Sequence, residues 1–169
     1  MIRFEKFERS DFYRLIAWVD SPKLLLQWAG PIFSYPLNID QLESYLSNSE
    51  KETSNVAIYK ILYNDRVIGH IELCDIDEVR KSAMLTRVLI GDPKERNLGL
   101  GQKICKIFIE YAYNMYKLCN IDLFVFDDNH SAMHCYQKIG FNEEAYFPKA
   151  WHFGGSLIGI HHLRFTRSV

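Results

Sequence analysis

Hydrophobic positions along the first third of the chain change from strand-like alternation to helical spacing. Ile2, Phe4 and Phe7 indicate a short opening strand. Helical spacing of apolar residues then predicts three helices, because polar or proline-containing starts precede each run at Ser10–Asp11, Ser21–Pro22 and Asn38. The predicted helices end near Val19, Gly30 and Asn48, and Gln41 has capping-box spacing from Asn38. This section is therefore expected to be helical and rich in aromatic residues.

The next section has the period of β-strands. Residues 56–62 and 67–73 alternate on either side of Asn64–Asp65, a turn signal, so they are predicted to form a hairpin. A charged connection over residues 75–81 leads to a third strand, Met84–Ile90. Together these predict a three-stranded meander.

The last section alternates helices and strands. A helix is predicted to about Lys117, followed by a buried strand at Ile121–Phe126 and a helix that Gly140 ends. Two closing strands are expected over residues 141–147 and 157–165. A strand, a helix and a second strand favour a right-handed crossover between parallel strands. The order predicts an α/β fold, a single domain over residues 1–169, with a mixed sheet of about seven strands flanked by helices.

Composition limits the classes of function. The chain has 169 residues, 48% hydrophobic and 24% charged, with a net charge of -1. The near-zero net charge argues against a broad surface for binding nucleic acid. No apolar run approaches the roughly 18 residues that span a membrane. The first residues alternate and include an acid, unlike a signal peptide. Because the four cysteines form no C-x-x-C pair, a reducing cytoplasm is expected.

The strand at Ile90 leads into a loop with the pattern Arg96-x-x-Gly99-x-Gly101, which opens the long helix. Glycines let backbone approach a ligand closely, and unpaired amides at a helix start bind anions. Lys94 and Lys103 add positive charge nearby. The alternative is a helix start that needs glycine only for tight packing. The loop matches neither a P-loop nor the dinucleotide-binding fingerprint.

A second motif lies on the following helix. It is Asn129-x-x-Ala132-x-x-x-Tyr136-x-x-x-Gly140-Phe141. Together, the two motifs and the order of elements resemble the GNAT superfamily of acyl-CoA-dependent N-acetyltransferases. Trp28 and Pro36–Leu37, ahead of a helix, are similar to the branch that includes the ribosomal-protein N-terminal acetyltransferases.

The resemblance implies acetyl-CoA as cosubstrate, held in a cleft between splayed parallel strands. The residues implied to bind the pyrophosphate are those of the loop, Arg96, Asn97, Leu98, Gly99, Leu100, Gly101 and Gln102. The pantetheine arm is implied to pair with the strand residues Val88, Leu89 and Ile90 and to contact Asn129. A backbone N–H of that strand would polarise the thioester carbonyl as an oxyanion donor.

Two side chains are the candidates for acid and base. The resemblance implies that Tyr136 protonates the departing thiolate, which suits a phenol because its ordinary pKa lies above that of a thiol. The alternative is an aromatic side chain that only packs on the sheet. Glu72 is the leading candidate for the base, with His70 second, and Arg87 could pair with Glu72 and hold it ionised. The alternative for Glu72 is a solvated, outward-facing residue.

The acceptor cannot be identified from the sequence beyond a primary amine. Its pocket is expected among aromatic residues, which are Trp28, Phe33, Tyr35 and Trp151. His130 and His134 lie one helical turn apart, but with no third ligand placed no metal is expected. Asp128 and Asn129 could simply cap a helix.

Three functions remain open on this evidence. The first is acetyl transfer to a small amine, the second is a non-catalytic acyl-CoA-binding sensor or scaffold, and the third is modification of a protein N-terminus or lysine. No nucleic-acid or membrane partner is expected. A homodimer through the last strands is possible, because exposed sheet edges favour pairing.

Overall fold

The computed structural model describes residues 1–96 and 98–167, and its elements follow the predicted order. Short 3-10 turns lie at Arg9–Asp11, Gly30–Ile32 and Pro93–Glu95. The helices are α1 (Phe12–Trp18), α2 (Pro22–Ala29), α3 (Ile39–Ser49), α4 (Leu100–Tyr116) and α5 (His130–Ile139). The strands are β1 (Ile2–Lys6), β2 (Ala57–Tyr63), β3 (Arg66–Asp77), β4 (Ser82–Ile90), β5 (Asn120–Phe126), β6 (Asn142–Phe153) and β7 (Ser156–Thr166).

The strands form one seven-stranded sheet in the order β1-β2-β3-β4-β5-β7-β6. β1 and β2, β2 and β3, β5 and β7, and β6 and β7 pair antiparallel. β4 and β5 are parallel, in a register that runs from Ser82 with Asn120 to Met84 with Asp122. The predicted mixed α/β sheet is therefore confirmed, with α4 as the connection between its parallel strands.

The chain forms two compact units. The first contains Met1–Ile76 and Leu85–Leu100, and the second contains Asp77–Met84 and the chain from Gly101 onward. The first unit buries apolar residues of α1, α2, α3, β2 and β4, among them Leu15, Leu25, Trp28, Leu42, Ile58 and Leu89. The second unit buries Ile104, Phe108 and Ala112 of α4 and Ile121, Leu123 and Leu163 of two strands. A single domain over the whole chain stays a prediction.

Side-chain caps explain where α2 and α3 begin. The Ser21 hydroxyl caps α2, and the Asn38 side chain caps α3 by accepting a hydrogen bond from the Gln41 amide at 3.0 Å. The capping box predicted for Gln41 is wrong, because its side chain instead bonds the backbone of Ser34 and Pro36. The Gln41 side chain thus holds the chain segment before α3 rather than the helix start itself.

Two strands are longer than predicted. β3 continues through the charged residues to Asp77, and β6 continues from residue 147 to Phe153. Residues 75–77 are at least partly exposed, so charged side chains there are solvated without leaving the sheet. Most of β6 is exposed and it pairs only with β7, so its sequence lacks the alternation expected of a half-buried strand.

At Gly69, the backbone of β3 lies against the backbone of β4. A Cβ at this position would lie 2.2 Å from the carbonyl oxygen of Leu89, which is backbone and cannot move aside cheaply. We expect Gly69→Ala to lower the free energy of unfolding by about 1–3 kcal/mol, measured by urea denaturation. Gly155→Asn is the control, because nothing lies within 4 Å of a Cβ there and Asn tolerates its left-handed backbone. Equal midpoints for Gly69→Ala and the wild type would contradict the close contact.

Candidate active site

Glu72 lies in the interior of the first unit. Its side chain on β3 is 1% exposed. Oε1 accepts hydrogen bonds from the Thr86 hydroxyl at 3.1 Å and from Arg87 Nη1 at 2.5 Å, and Oε2 accepts one from the Tyr45 hydroxyl. The solvated, outward-facing alternative for Glu72 is therefore wrong, and the predicted pair with Arg87 is present.

The environment of Glu72 changes its acidity in the opposite direction from the one expected for an ion pair. Burial raises the pKa of Glu72, and this outweighs the lowering by Arg87 and by the hydrogen bonds from Tyr45 and Thr86. Arg87 therefore limits the rise in the pKa of Glu72 rather than keeping the pKa low. A carboxylate with a raised pKa is a stronger proton acceptor, which suits a general base.

His70 precedes Glu72 on the same face of β3 and is also buried, at 1% exposure. Its Nδ1 lies 2.9 Å from the Arg87 carbonyl oxygen and its Nε2 lies 3.3 Å from the Tyr45 hydroxyl. Burial, with the charge of Arg87, lowers the pKa of His70 to about 4, so the ring is neutral near pH 7. Since a carbonyl only accepts, Nδ1 must carry the proton. Such a weakly basic imidazole is a poorer candidate for the base than Glu72.

Arg87 has an unusual backbone within β4. Its φ is 50°, in the left-handed region that costs a non-glycine residue about 1–2 kcal/mol. Its carbonyl oxygen accepts hydrogen bonds from Trp28 Nε1 at 2.9 Å and from His70 Nδ1 at 2.9 Å. Two such bonds, each worth roughly 0.5–1.5 kcal/mol, offset that cost. Side chains from α2 and β3 thus stabilise this conformation of β4.

Aromatic rings pack beside Glu72 and its hydrogen-bond partners. Trp28 stacks on Phe33 with ring centroids 5.7 Å apart, and Phe33 meets Tyr45 edge-on at 5.3 Å. The Arg87 guanidinium lies 5.5 Å from the centre of the Tyr45 ring, within cation–π range. The structure therefore brings together two of the four predicted pocket residues, Trp28 and Phe33, and adds Tyr45.

The other two predicted pocket residues lie elsewhere. The Tyr35 side chain is 46% exposed and its hydroxyl donates to the carbonyl oxygen of Asp20. Trp151 belongs to β6, in the second unit. Tyr45 could not be found from the sequence, because helical spacing does not show that its hydroxyl bonds a carboxylate on β3.

The predicted pyrophosphate loop connects β4 to α4. Gly99 has a φ of 72°, and nothing lies within 4 Å of the position of a Cβ. Leu98 and Gly99 are exposed, Leu100 begins α4, and Gly101 and Gln102 stand in its first turn. The amides of this first helical turn lack intrahelical partners, so they can bind an anion. Asn97 lies outside the described residues.

Arg96 has a role that the sequence analysis missed. Its Nε donates to the Ile90 carbonyl oxygen and its Nη2 to that of Gly91, both at 2.9 Å. Arg96 therefore ties the loop to the end of β4, the strand whose residues Val88, Leu89 and Ile90 are predicted to bind pantetheine. The Leu89 side chain is buried in the core of the first unit, whereas those of Val88 and Ile90 are partly buried.

Tyr136 lies on α5 in the second unit. Its ring meets Phe141 edge-on, with centroids 5.5 Å apart. Burial, with smaller contributions from the thiols of Cys105 and Cys135, raises the pKa of Tyr136 well above its usual value. The phenol is therefore protonated at neutral pH and available as a proton donor. Glu72 and Tyr136 belong to different units.

Asn129 is the N-cap of α5. Its side-chain oxygen accepts a hydrogen bond from the Ala132 amide at 3.2 Å. The cap is therefore Asn129 rather than Asp128. Gly140 ends the helix as predicted, with a left-handed φ of 113°. Asn129 thus fixes the start of the helix that carries Tyr136, whatever else its amide group contacts.

Residues 1–96 and 98–167 contain no group of three or more His, Cys, Asp or Glu side chains placed to hold a metal ion. Within the same residues, none of the helices has the length and apolar character needed to cross a bilayer.

The mixed seven-stranded sheet, with a glycine loop ahead of α4, is an α/β architecture. The chain belongs to the GNAT acetyltransferase family, whose domain model matches residues 5–160. This confirms the family inferred from the two sequence motifs.

Similar proteins include curated and structurally solved acetyltransferases. Spermidine N(1)-acetyltransferase of Escherichia coli (strain K12) is 30% identical over 76 residues, which cover 45% of this chain and 40% of that relative's length. An N-acetyltransferase 9-like protein of Nematostella vectensis is 24% identical over 135 residues, 75% of this chain and 67% of the relative. The spermidine N-acetyltransferase of Vibrio cholerae, solved with CoA and spermine, superposes with a TM-score of 0.84 at 20% identity, covering 98% and 95% of the two chains.

Proposed function

We propose that this protein transfers an acetyl group from acetyl-CoA directly to a primary amine. The observation that carries this proposal is the match of residues 5–160 to the GNAT domain. The loop with Gly99 and the first turn of α4 supports it, because it offers backbone amides to the pyrophosphate of coenzyme A. Val88, Leu89 and Ile90 would bind the pantetheine arm as an added strand, together with Asn129.

The reaction would be a direct displacement. The amine nitrogen forms a bond to the thioester carbonyl carbon, and the bond between that carbon and sulfur breaks. Glu72 takes the proton that the amine loses, directly or through a water, and Tyr136 gives a proton to the departing thiolate. The raised pKa of Glu72 and the protonated phenol of Tyr136 suit these two roles.

Spermidine is the first acceptor to test. Two similar proteins are named as spermidine acetyltransferases, one of them solved with spermine. The finer resemblance to ribosomal-protein N-terminal acetyltransferases makes a peptide N-terminus the second acceptor.

A cytoplasmic location and a homodimer through β6 and β7 remain part of the proposal. A Vibrio cholerae spermidine acetyltransferase is described as dodecameric.

The test has two stages. Calorimetric titration with acetyl-CoA, using ATP and dephospho-CoA as controls, measures cosubstrate binding. Release of free CoA thiol is then followed with spermidine, spermine, small monoamines and peptides with free N-termini. Acetyl-CoA binding with amine-dependent thiol release supports the enzyme. Binding without turnover on any amine favours the non-catalytic acyl-CoA module, and no binding by folded protein contradicts both.

The pyrophosphate assignment predicts a charge-specific effect at Gly99. Asp and Asn both tolerate a left-handed backbone, and the space around a Cβ at this position is open, so both variants should fold. We expect Gly99→Asp to weaken acetyl-CoA binding at least about tenfold by repulsion between two anions, measured by calorimetry. Gly99→Asn is the matched neutral control and should bind several-fold more tightly than Gly99→Asp. Equal affinities for the two variants would show that the pyrophosphate lies elsewhere.

A further inference from the structure

We propose that Trp28 and His70 are positioning residues that orient the peptide group between Arg87 and Val88, so that the Val88 N–H faces the thioester carbonyl of acetyl-CoA. This inference rests on the proposed use of acetyl-CoA. Both side chains are buried, and they would act on the reaction through this peptide group without touching the substrate.

Both donors converge on one oxygen. Trp28 Nε1 and His70 Nδ1 each lie 2.9 Å from the Arg87 carbonyl oxygen. The two side chains come from α2 and β3 and are 5% and 1% exposed, so solvent does not compete for these bonds. Two buried donors on a single carbonyl restrict the direction of that carbonyl in space.

Ring packing fixes the donors themselves. The His70 ring meets Trp28 edge-on at 5.3 Å and Phe7 edge-on at 5.1 Å. Its Nε2 lies 3.3 Å from the Tyr45 hydroxyl. Trp28 is in turn stacked on Phe33. Neither ring can turn its N–H away from Arg87 without disturbing the packing of its neighbours.

Peptide geometry transmits this restraint to Val88. The peptide bond is planar and trans, so the Arg87 carbonyl and the Val88 N–H point in opposite directions. The left-handed φ of Arg87 is not the conformation that arginine prefers in a strand. Without the two hydrogen bonds, this residue would favour extended backbone, and the Val88 N–H would point elsewhere. A donor that is fixed before the substrate binds stabilises the oxyanion without reorganisation.

Two substitutions separate the hydrogen bonds from the packing. Trp28→Phe removes the indole N–H and keeps an aromatic ring against Phe33. His70→Leu removes the Nδ1 donor, whereas His70→Asn keeps an amide N–H near the position of Nδ1 and serves as the conservative rescue. Trp18→Phe, on α1 of the same unit, is the control for losing an indole.

Kinetics and a spectroscopic signature of the thioester provide the test. We expect Trp28→Phe and His70→Leu to lower kcat about tenfold or more, with less than a twofold change in acetyl-CoA affinity, and His70→Asn to recover most of the rate. The infrared carbonyl band of carbonyl-¹³C acetyl-CoA should be displaced from its solution value by the wild type and by Trp18→Phe. It should return toward that value in Trp28→Phe. A folded Trp28→Phe variant with unchanged kcat and an unchanged band would overturn the proposal.

A ligand-free measurement distinguishes this inference from the proposed function. In ¹⁵N-labelled protein without acetyl-CoA, Trp28→Phe should shift the Val88 amide resonance, whereas Trp18→Phe should leave it unchanged. An unchanged Val88 amide in Trp28→Phe contradicts the anchoring even if the wild type turns over. A displaced carbonyl band in a wild type that acetylates no amine would support the anchoring and contradict the enzyme.

Discussion

Replacing Tyr136 with Phe is expected to lower kcat by about 10²–10⁴-fold while acetyl-CoA affinity changes less than about twofold. The ring of Tyr136 packs edge-on against Phe141, and Phe keeps that contact. Only the hydroxyl is lost, and with it the proton that stabilises the leaving thiolate. Steady-state thiol release gives kcat, and calorimetry gives the dissociation constant for acetyl-CoA.

Tyr13→Phe is the control for this substitution, because the Tyr13 side chain is 74% exposed on α1. It should leave kcat and the dissociation constant unchanged. A folded Tyr136→Phe variant with the kcat of the wild type would remove Tyr136 from the mechanism and return it to a packing role. Equal losses in kcat and in acetyl-CoA affinity would assign its hydroxyl to cosubstrate binding instead.

Local signals in the sequence were sufficient to predict most of the fold. The turn at Asn64–Asp65 has the left-handed φ values, 48° and 63°, that a tight hairpin requires. Ser21 and Asn38 cap the helices that they were expected to start. Each of these features depends on a few consecutive residues, so sequence spacing carries the information. β6 was predicted too short, because a strand exposed on both faces has no hydrophobic alternation to mark its end.

The interior of the candidate site depends on tertiary structure and could be predicted only in part. Adjacency of two strands was enough to suggest the pair between Arg87 and Glu72. The contact between Tyr45 and Glu72 requires α3 to pack on β3, which no local pattern indicates. The left-handed backbone of Arg87 is likewise stabilised by hydrogen bonds from Trp28 and His70, which come from distant parts of the chain.

The acidity of Glu72 shows why an ion pair alone is an insufficient guide. A neighbouring arginine was expected to keep the carboxylate ionised, yet burial raises the pKa of Glu72 despite Arg87. The degree of burial follows from how α3 and the sheet enclose Glu72, which the sequence does not specify. The predicted partner is present and Arg87 lowers the pKa of Glu72 as expected, but burial has the larger effect.

Glu72→Gln tests the proposed base directly. It should remove the acid limb of the pH profile, which is the part where kcat/KM rises with pH. In the wild type, kcat/KM should rise as Glu72 loses its proton, at a pH above the ordinary range for glutamate because its pKa is raised. His70 is already neutral there, with a pKa of about 4, and burial raises the pKa of the Cys74 thiol, so neither titrates in that range. We expect Glu72→Gln to lower kcat/KM about 10²-fold or more and to flatten this limb.

Arg87 provides the complementary change. Removing its charge eliminates the main influence that lowers the pKa of Glu72, so Arg87→Gln should move the acid limb to higher pH. Glu72→Gln alone leaves the Arg87 charge without its partner in a largely buried site, which destabilises the fold. The double variant Glu72→Gln/Arg87→Gln removes both charges and separates the loss of the base from this destabilisation.

Asp122→Asn is the matched control, since Asp122 is also buried and paired with an arginine, Arg164, but belongs to the second unit. It should keep the acid limb of the wild type. If the folded double variant retains that limb and the rate of the wild type, Glu72 is not the base, and the proton of the amine leaves through another group or through water. If the limb disappears in both Glu72 variants and moves upward in Arg87→Gln, the titrating group is Glu72, with a pKa set by burial against the charge of Arg87.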